Sequence, residues 1–152
     1  MIDAFMKEKF SELINLLSLR QIRIVDSHET VLFEDSVLEQ KNNVNIETVQ
    51  ALGEQSPEFE NSFVRFNVKY TFNFSREKDS VNKPYFTASY VIIVTFETLD
   101  VEKTRQLLTE KELLNVFITQ QLKKTLWPVL RGTLLDAMGR HSLQPIPLPW
   151  IK

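Results

Sequence analysis

The sequence contains no cysteine, and only three of its 152 residues are glycine. Without cysteine, the chain has no disulfide bond, no thiolate metal ligand and no cysteine nucleophile. So few glycines all but exclude the glycine-rich loops that hold nucleotide phosphates. No apolar run approaches the roughly 20 residues of a membrane-spanning helix. These absences argue against redox, nucleotide and membrane-spanning functions.

The composition that remains is typical of a globular protein. Hydrophobic residues make up 43% of the chain and charged residues 25%, which predicts a single domain over residues 1–152. The net charge of −2 gives no reason to expect binding to nucleic acid. The opening MIDAFMKEKF mixes both charge signs and lacks a small-residue cleavage site, so no secretory signal is predicted. We expect a cytoplasmic protein without membrane insertion.

Hydrophobic periodicity predicts an α+β domain. Apolar residues recur at helical spacing over the first 18 residues, which indicates an amphipathic N-terminal helix. Residues 19–99 contain strands and a crossover, and their clearest pair is FVRFNVKYTFNFS and YFTASYVIIVTFETL. Strict alternation in the first of these predicts one buried and one wet face. The second carries Val91 and Ile93 on its otherwise polar face, as isolated aliphatics or as a patch that a subunit or client covers.

Helices are predicted over residues 109–140. Thr109 and Glu112 form a capping-box pattern at the start, and Gly139 fits a C-terminal cap. Pro128 marks either the start of the second helix or a kink in it. Residues 141–152 contain three spaced prolines, which predict an extended tail.

No catalytic or metal-binding pattern emerges. The two histidines, His28 and His141, are far apart in sequence, and no serine lies in a nucleophile elbow. Asp26, His28 and Glu29 make a weak ligand cluster that is better explained as a solvated edge. We therefore predict a binding protein, with no catalytic residue, no metal site and no cofactor.

The C-terminal segment LWPVLRGTLLDAMGRHSLQPIPLPWI resembles the closing segment of the SecB family of protein-export chaperones. The resemblance rests on the Trp127-Pro128 pair, on Arg131 three residues later, on Met138 and on the prolines from 145 to 149. It implies a four-stranded antiparallel sheet with helices on one face, to which this chain adds its N-terminal helix. It also implies an ATP-independent holdase that binds unfolded preproteins, assembled as a homotetramer that is a dimer of dimers.

The resemblance also assigns candidate residues. The positions that match the family's client-binding groove are Phe33, Val37, Val44, Ile46, Phe117, Leu122, Leu126 and Trp127. The helix residues among them are expected more often in a core than in a groove. Asp26 and Glu29 match acidic positions that meet the SecA motor. Ser89 stands where a further acid is expected, and the sequence ends at Lys152 without the family's motor-binding tail, which weakens the export role.

Three alternatives to a general holdase remain open. Some SecB-like proteins are dedicated chaperones of an antitoxin in toxin–antitoxin–chaperone modules, and one sequence does not separate the two roles. A domain of the same fold that encloses a small apolar ligand belongs to a different class. A purely structural oligomerisation module is the third alternative, and it would show no affinity for unfolded chains.

Overall fold

The structure, a computed structural model, describes residues 4–32, 44–54, 56–76, 84–143 and 145–149. Its strands are β1 (Leu17–Val31), β2 (Val44–Leu52), β3 (Glu58–Glu60), β4 (Phe63–Arg76) and β5 (Phe86–Thr98). Its helices are α1 (Ala4–Leu16), α2 (Val101–Thr109), α3 (Lys111–Val116) and α4 (Lys123–Arg140), with a π-helix (Phe117–Leu122) directly before α4. The predicted α+β class with an antiparallel sheet and an N-terminal helix is confirmed.

The sheet has the order β1-β5-β4-β2, and the short β3 pairs with β4 beyond the end of β2. The predicted alternation in β4 is confirmed, because Val64, Phe66, Val68, Tyr70, Phe72 and Phe74 are all fully buried. β5 alternates in the same way from Phe86 to Val94. A turn follows β2, where the Ser56 N–H donates to the Gly53 carbonyl (3.0 Å).

The chain divides into two compact units along its long strands. The first unit comprises Met1–Arg23, Leu52–Asn67 and Ile92–Leu126, and the second comprises Ile24–Ala51, Val68–Val91 and Trp127–Lys152. In the first, the rings of Phe66, Phe96 and Phe117 lie 5.1–5.9 Å apart, and α1 packs on α2 and α3. In the second, aromatic residues of β4 and β5 are buried together with the apolar stripe of α4, which consists of Trp127, Leu130, Leu134, Ala137 and Met138.

The helical region begins earlier than the sequence predicted. Helix α2 starts at Val101, because the Asp100 side chain accepts a hydrogen bond from the backbone N–H of Lys103 (3.1 Å) and caps the helix. The predicted capping box is wrong: Thr109 ends α2, and its hydroxyl donates to the Arg105 carbonyl. Glu110 is the N-cap of α3, with no side-chain capping bond.

Two predictions about α4 need correction or refinement. Pro128 lies inside the helix, beyond its first turn, so it does not mark the start. It lies six residues after the end of the π-helix at Leu122. The predicted cap at Gly139 is wrong, because no glycine has a positive φ and Ser142 adopts the left-handed conformation instead (φ 57°). The N–H groups of Ser142 and Leu143 then donate to the carbonyls of Gly139 and Met138, a Schellman ending.

Candidate functional site

In the second unit, strand β2 carries two predicted groove residues on one of its faces. Val44 and Ile46 are both half-buried. Gln50 lies on the same face of the strand, because side chains alternate, and its amide donates to the buried Tyr70 hydroxyl (2.8 Å). The opposite face carries Val49, which is 48% exposed. β2 therefore presents partly accessible aliphatic side chains beside the aromatic core of its unit.

A depression of about 280 Å³ adjoins this part of β2. Ile46 contributes to its lining, and the other lining residues are Asn45, Glu47, Asn73, Ser75 and Pro84. The Asn73 amide donates to the Glu47 carboxylate across two neighbouring strands (3.0 Å). Because side chains alternate along β2, Asn45 and Glu47 lie on the face opposite to the Val44 and Ile46 side chains. The depression therefore offers amide, hydroxyl and carboxylate groups, which suit the main-chain donors and acceptors of a polypeptide.

The first unit contains a more apolar cavity of about 220 Å³. Its lining consists of Ile14, Leu17, Leu19, Phe96, Phe117, Gln121 and Thr125. The π-helix supplies both Phe117 and Gln121. The Thr125 hydroxyl donates a hydrogen bond to the Gln121 backbone carbonyl (2.8 Å). The cavity has room for one large apolar side chain and is smaller than the roughly 300–1,000 Å³ pockets of drug-sized ligands.

The remaining groove candidates fall into two groups. Phe117, Leu122 and Leu126 have no exposed surface and Trp127 is 5% exposed, so all four belong to the core of this chain. Their contact with a client stays a prediction. Phe33 and Val37 lie outside the described residues.

The two acidic candidates occupy different environments. Asp26 is exposed and lies 3.3 Å from His28, as the weak cluster in the sequence suggested. The Glu29 side chain is only 9% exposed and is engaged within its unit. It accepts a hydrogen bond from the Tyr90 hydroxyl (2.7 Å) and lies 3.1 Å from the Arg140 guanidinium. Asp26 is therefore the more accessible of the two.

Two buried tyrosines are held in the neutral form. Burial raises the pKa of the Tyr70 phenol well above its ordinary value. Burial also raises the pKa of Tyr90, and the hydrogen bond to Glu29 and the charge of that carboxylate raise it further. Neither tyrosine is therefore a source of protons or of negative charge near neutral pH.

Within the described ranges, no cluster of three or more histidine or acidic residues could hold a metal ion. Among the helices that the structure describes, none is long and apolar enough to cross a membrane.

Sequence reasoning missed the 220 Å³ cavity because it placed Leu17 at the end of the N-terminal helix and did not use Leu19. Both residues lie on β1, and the alternation of Leu17 and Leu19 with Ser18 and Arg20 is the signal that could have located the strand. It also missed the Glu29, Tyr90 and Arg140 cluster, because those residues are 50 or more positions apart and no local pattern links them.

Comparison with solved structures gives an informative likeness. No protein-family model and no curated protein matches the sequence. The structure of the SecB-like chaperone Rv1957 from Mycobacterium tuberculosis, in complex with a ChAD peptide from the HigA1 antitoxin, matches with a TM-score of 0.70 and 16% identity, covering 97% of this chain and 99% of that one. A Streptococcus agalactiae protein of unknown function matches with a TM-score of 0.40 and 10% identity over 88% and 97% of the two chains. This match is too weak to indicate a shared fold.

The likeness to the mycobacterial chaperone shows that this chain has a SecB-like fold. Since 97% of the chain lies within the match, the 13-residue helix α1 is not wholly outside it. At least part of the N-terminal helix therefore belongs to the fold that the two chains share.

Proposed function

We propose, on the premise of a SecB-like fold, that this protein is an ATP-independent chaperone that binds non-native polypeptides and keeps them unfolded and soluble. The observation that carries the proposal is the match to a SecB-like chaperone at a TM-score of 0.70 over nearly the whole of both chains. Strand β2 supports it, because Val44 and Ile46 are partly accessible on one of its faces and polar groups that can pair with a main chain line a depression on the other.

Binding of this kind does not depend on a particular client sequence. An unfolded chain exposes apolar side chains together with unpaired backbone groups, and burying the apolar surface contributes roughly 25 cal/mol per Å². A surface that combines aliphatic side chains with amides accepts many sequences without reading any one of them. No step in this scheme requires bond breaking, so the protein acts without catalysis and without a cofactor.

A dedicated antitoxin chaperone is the second candidate. The SecB-like neighbour was solved with a peptide from an antitoxin, and this is the observation that favours the same kind of client here. The export role is the less supported one. It would use Asp26, which is exposed, to contact the SecA motor, whereas Glu29 is already paired with Tyr90 and Arg140.

The assembly proposed for this chain is a cytoplasmic homotetramer, a dimer of dimers. The half-buried Val91 and Ile93 on the second face of β5 would fit a surface that another subunit or a client covers. Of the two cavities described above, the more apolar one has a volume of about 220 Å³, below the roughly 300–1,000 Å³ of sites for small ligands, so this cavity gives no support to a small-ligand function.

The proposal is tested by diluting chemically unfolded citrate synthase into the protein without ATP and recording light scattering. We expect scattering to be suppressed at about one oligomer per client, because the client's apolar surface is covered before it aggregates. Bovine serum albumin at equal mass is the control. Equal scattering with the two proteins would contradict a general holdase, and a second titration with an antitoxin's C-terminal peptide would then decide the dedicated role.

A further inference from the structure

The chain's own C-terminal segment, residues 145–149, is seated on helix α4 through its backbone carbonyls. The Trp127 indole Nε1 donates to the Pro149 carbonyl (2.5 Å), and Nε of Arg131 donates to the Leu148 carbonyl (2.9 Å). Trp127 and Arg131 are four residues apart on a helix, so their side chains project from the same face. Two neighbouring donors of the helix thus meet two successive acceptors of the segment.

The side chains of the segment divide into anchored and exposed ones. Leu148 is 1% exposed, whereas Pro145, Pro147 and Pro149 are exposed. Ile146 is half-buried, and its backbone N–H lies 3.3 Å from the Met138 sulfur. The segment therefore docks by one fully buried leucine, by one partly buried isoleucine and by main-chain atoms.

These contacts use backbone carbonyls and one aliphatic side chain, which other extended segments also have. Proline has no backbone N–H, so a segment with proline at alternate positions is rich in acceptors and poor in donors. Trp127 and Arg131 supply donors to its carbonyls. A proline-punctuated segment is also extended before it binds, so ordering it costs little entropy. Any extended chain with an aliphatic side chain between prolines offers the same groups.

We propose that this face of α4, formed by Trp127, Arg131 and Met138 and called the tail site below, is a binding site for extended, proline-containing apolar segments of a client. The chain's own residues 145–149 occupy it as a competing ligand. The inference rests on the proposed chaperone function and deepens it, since it names a class of client segment and a restraint on client binding. A client segment can bind the tail site only when residues 145–149 dissociate from it.

Competition between the tail and a client segment predicts how the apparent affinity of the client depends on tail docking. The apparent dissociation constant of the client segment equals its intrinsic value divided by the fraction of molecules with an open tail site. If the tail is docked in nine molecules of ten, weakening it fully raises client affinity about tenfold.

The first test compares a tail variant with a control variant in their affinity for carboxymethylated α-lactalbumin, a permanently unfolded protein. Leu148→Ala removes the buried anchor, and Leu99→Ala makes the same change at a residue that is 83% exposed and lies outside the tail. We expect Leu148→Ala to bind up to about tenfold more tightly than the unmodified protein and Leu99→Ala to bind equally. Equal affinity for all three proteins would overturn the inference while leaving the chaperone function intact.

A synthetic peptide of residues 142–152, SLQPIPLPWIK, tests the ligand class on the Leu148→Ala protein. We expect it to compete with the unfolded protein and to return the affinity to that of the unmodified chain. A matched peptide with aspartate at the Leu148 position should not compete. Equal behaviour of the two peptides would contradict recognition of the buried leucine.

The unmodified protein supplies a readout that does not depend on any variant folding. In methyl-labelled protein, we expect the Leu148 methyl resonances to move to unfolded-chain positions when the client saturates the protein. Resonances that stay unchanged with client bound would overturn the inference. Failure of the client to bind at all would instead contradict the proposed function, and displacement of the Leu148 resonances by the peptide would then still test the tail site.

Discussion

Trp127 connects three parts of the second unit through a single side chain. Its ring lies 6.1 Å from the Phe72 ring of β4, and its indole N–H donates to the tail at Pro149. It belongs to α4 and is 5% exposed. Replacing such a residue removes an aromatic contact, a hydrogen bond and a large buried surface together.

We therefore expect Trp127→Ala to lower the free energy of unfolding by about 3–5 kcal/mol, measured by urea denaturation. Trp127→Phe is the matched variant, because it keeps a buried ring and removes the N–H donor, and its effect should be smaller. A loss below about 1 kcal/mol for the alanine variant would contradict burial of the ring, since such small losses are typical of exposed positions.

Tyr70 and Tyr90 predict how stability depends on alkaline pH. Both have a folded-state pKa above the ordinary value of 10.0, so their neutral forms are favoured by folding. This contribution to stability is fully present below pH 10 and is lost as the pH rises above it, because the unfolded chain then releases its phenolic protons more readily.

We expect the free energy of unfolding to fall between about pH 10 and about pH 12, and to fall less steeply in Tyr90→Phe, which has no phenol to ionise there. Urea denaturation at a series of pH values measures the two slopes. Identical alkaline slopes for the two proteins would show that Tyr90 ionises as easily in the folded chain as in the unfolded one.

At the scale of elements, helix α1 is an integral part of the first unit. Its Leu13 has no exposed surface, and α1 packs on α2 and α3. Two ion pairs accompany this contact, Lys9 with Glu110 (2.5 Å) and Glu12 with Lys103 (3.3 Å). Because these side chains are partly exposed, the ion pairs contribute little and the buried leucine contributes most.

Leu13→Ala is accordingly expected to lower the free energy of unfolding by about 2–5 kcal/mol. Phe5→Ala is the matched control on the same helix, since Phe5 is 65% exposed and should change stability by less than about 0.5 kcal/mol. Thermal or urea unfolding compares the two. Equal small effects would mean that α1 is a dispensable cover rather than part of the unit.

The sequence predicted elements well where one pattern decides them. The alternation from Val64 to Phe74 identified β4, because half-buried strands have a period of two. Helix ends were predicted poorly, because several residues compete for each cap. Asp100 caps α2 where Thr109 was expected, and Ser142 takes the left-handed position where Gly139 was expected.

The candidate site was predictable only in part. A family resemblance pointed to Val44 and Ile46, which the structure shows half-buried, but no local pattern reveals that Glu29 pairs with Arg140. The resemblance also pointed to the tail. It did not indicate that Trp127 and Arg131 hold the carbonyls of Pro149 and Leu148, because such contacts depend on how the tail turns back after α4.

At the scale of the whole molecule, we propose that the SecB-like fold carries two kinds of surface for a non-native chain. One is strand β2, with Val44 and Ile46 on one face and the polar depression on the other, and the second is the tail site on α4. Both would combine aliphatic contact with hydrogen bonds to a main chain and so accept many sequences, with a preference of the tail site for proline-containing apolar segments. These are the properties that a holdase requires.

The most direct measurement is a calorimetric titration of carboxymethylated α-lactalbumin into the protein and two double variants of β2. Val44→Asp with Ile46→Asp places two charges on the proposed client face, and Val49→Asp with Ala51→Asp places two charges on the opposite face of the same strand, at exposed residues that do not line the depression. We predict that the unmodified protein and the second variant bind the unfolded protein, and that the first variant, while still folded by circular dichroism, loses at least tenfold in affinity. Equal binding by both variants, or no binding by the unmodified protein, would contradict the account.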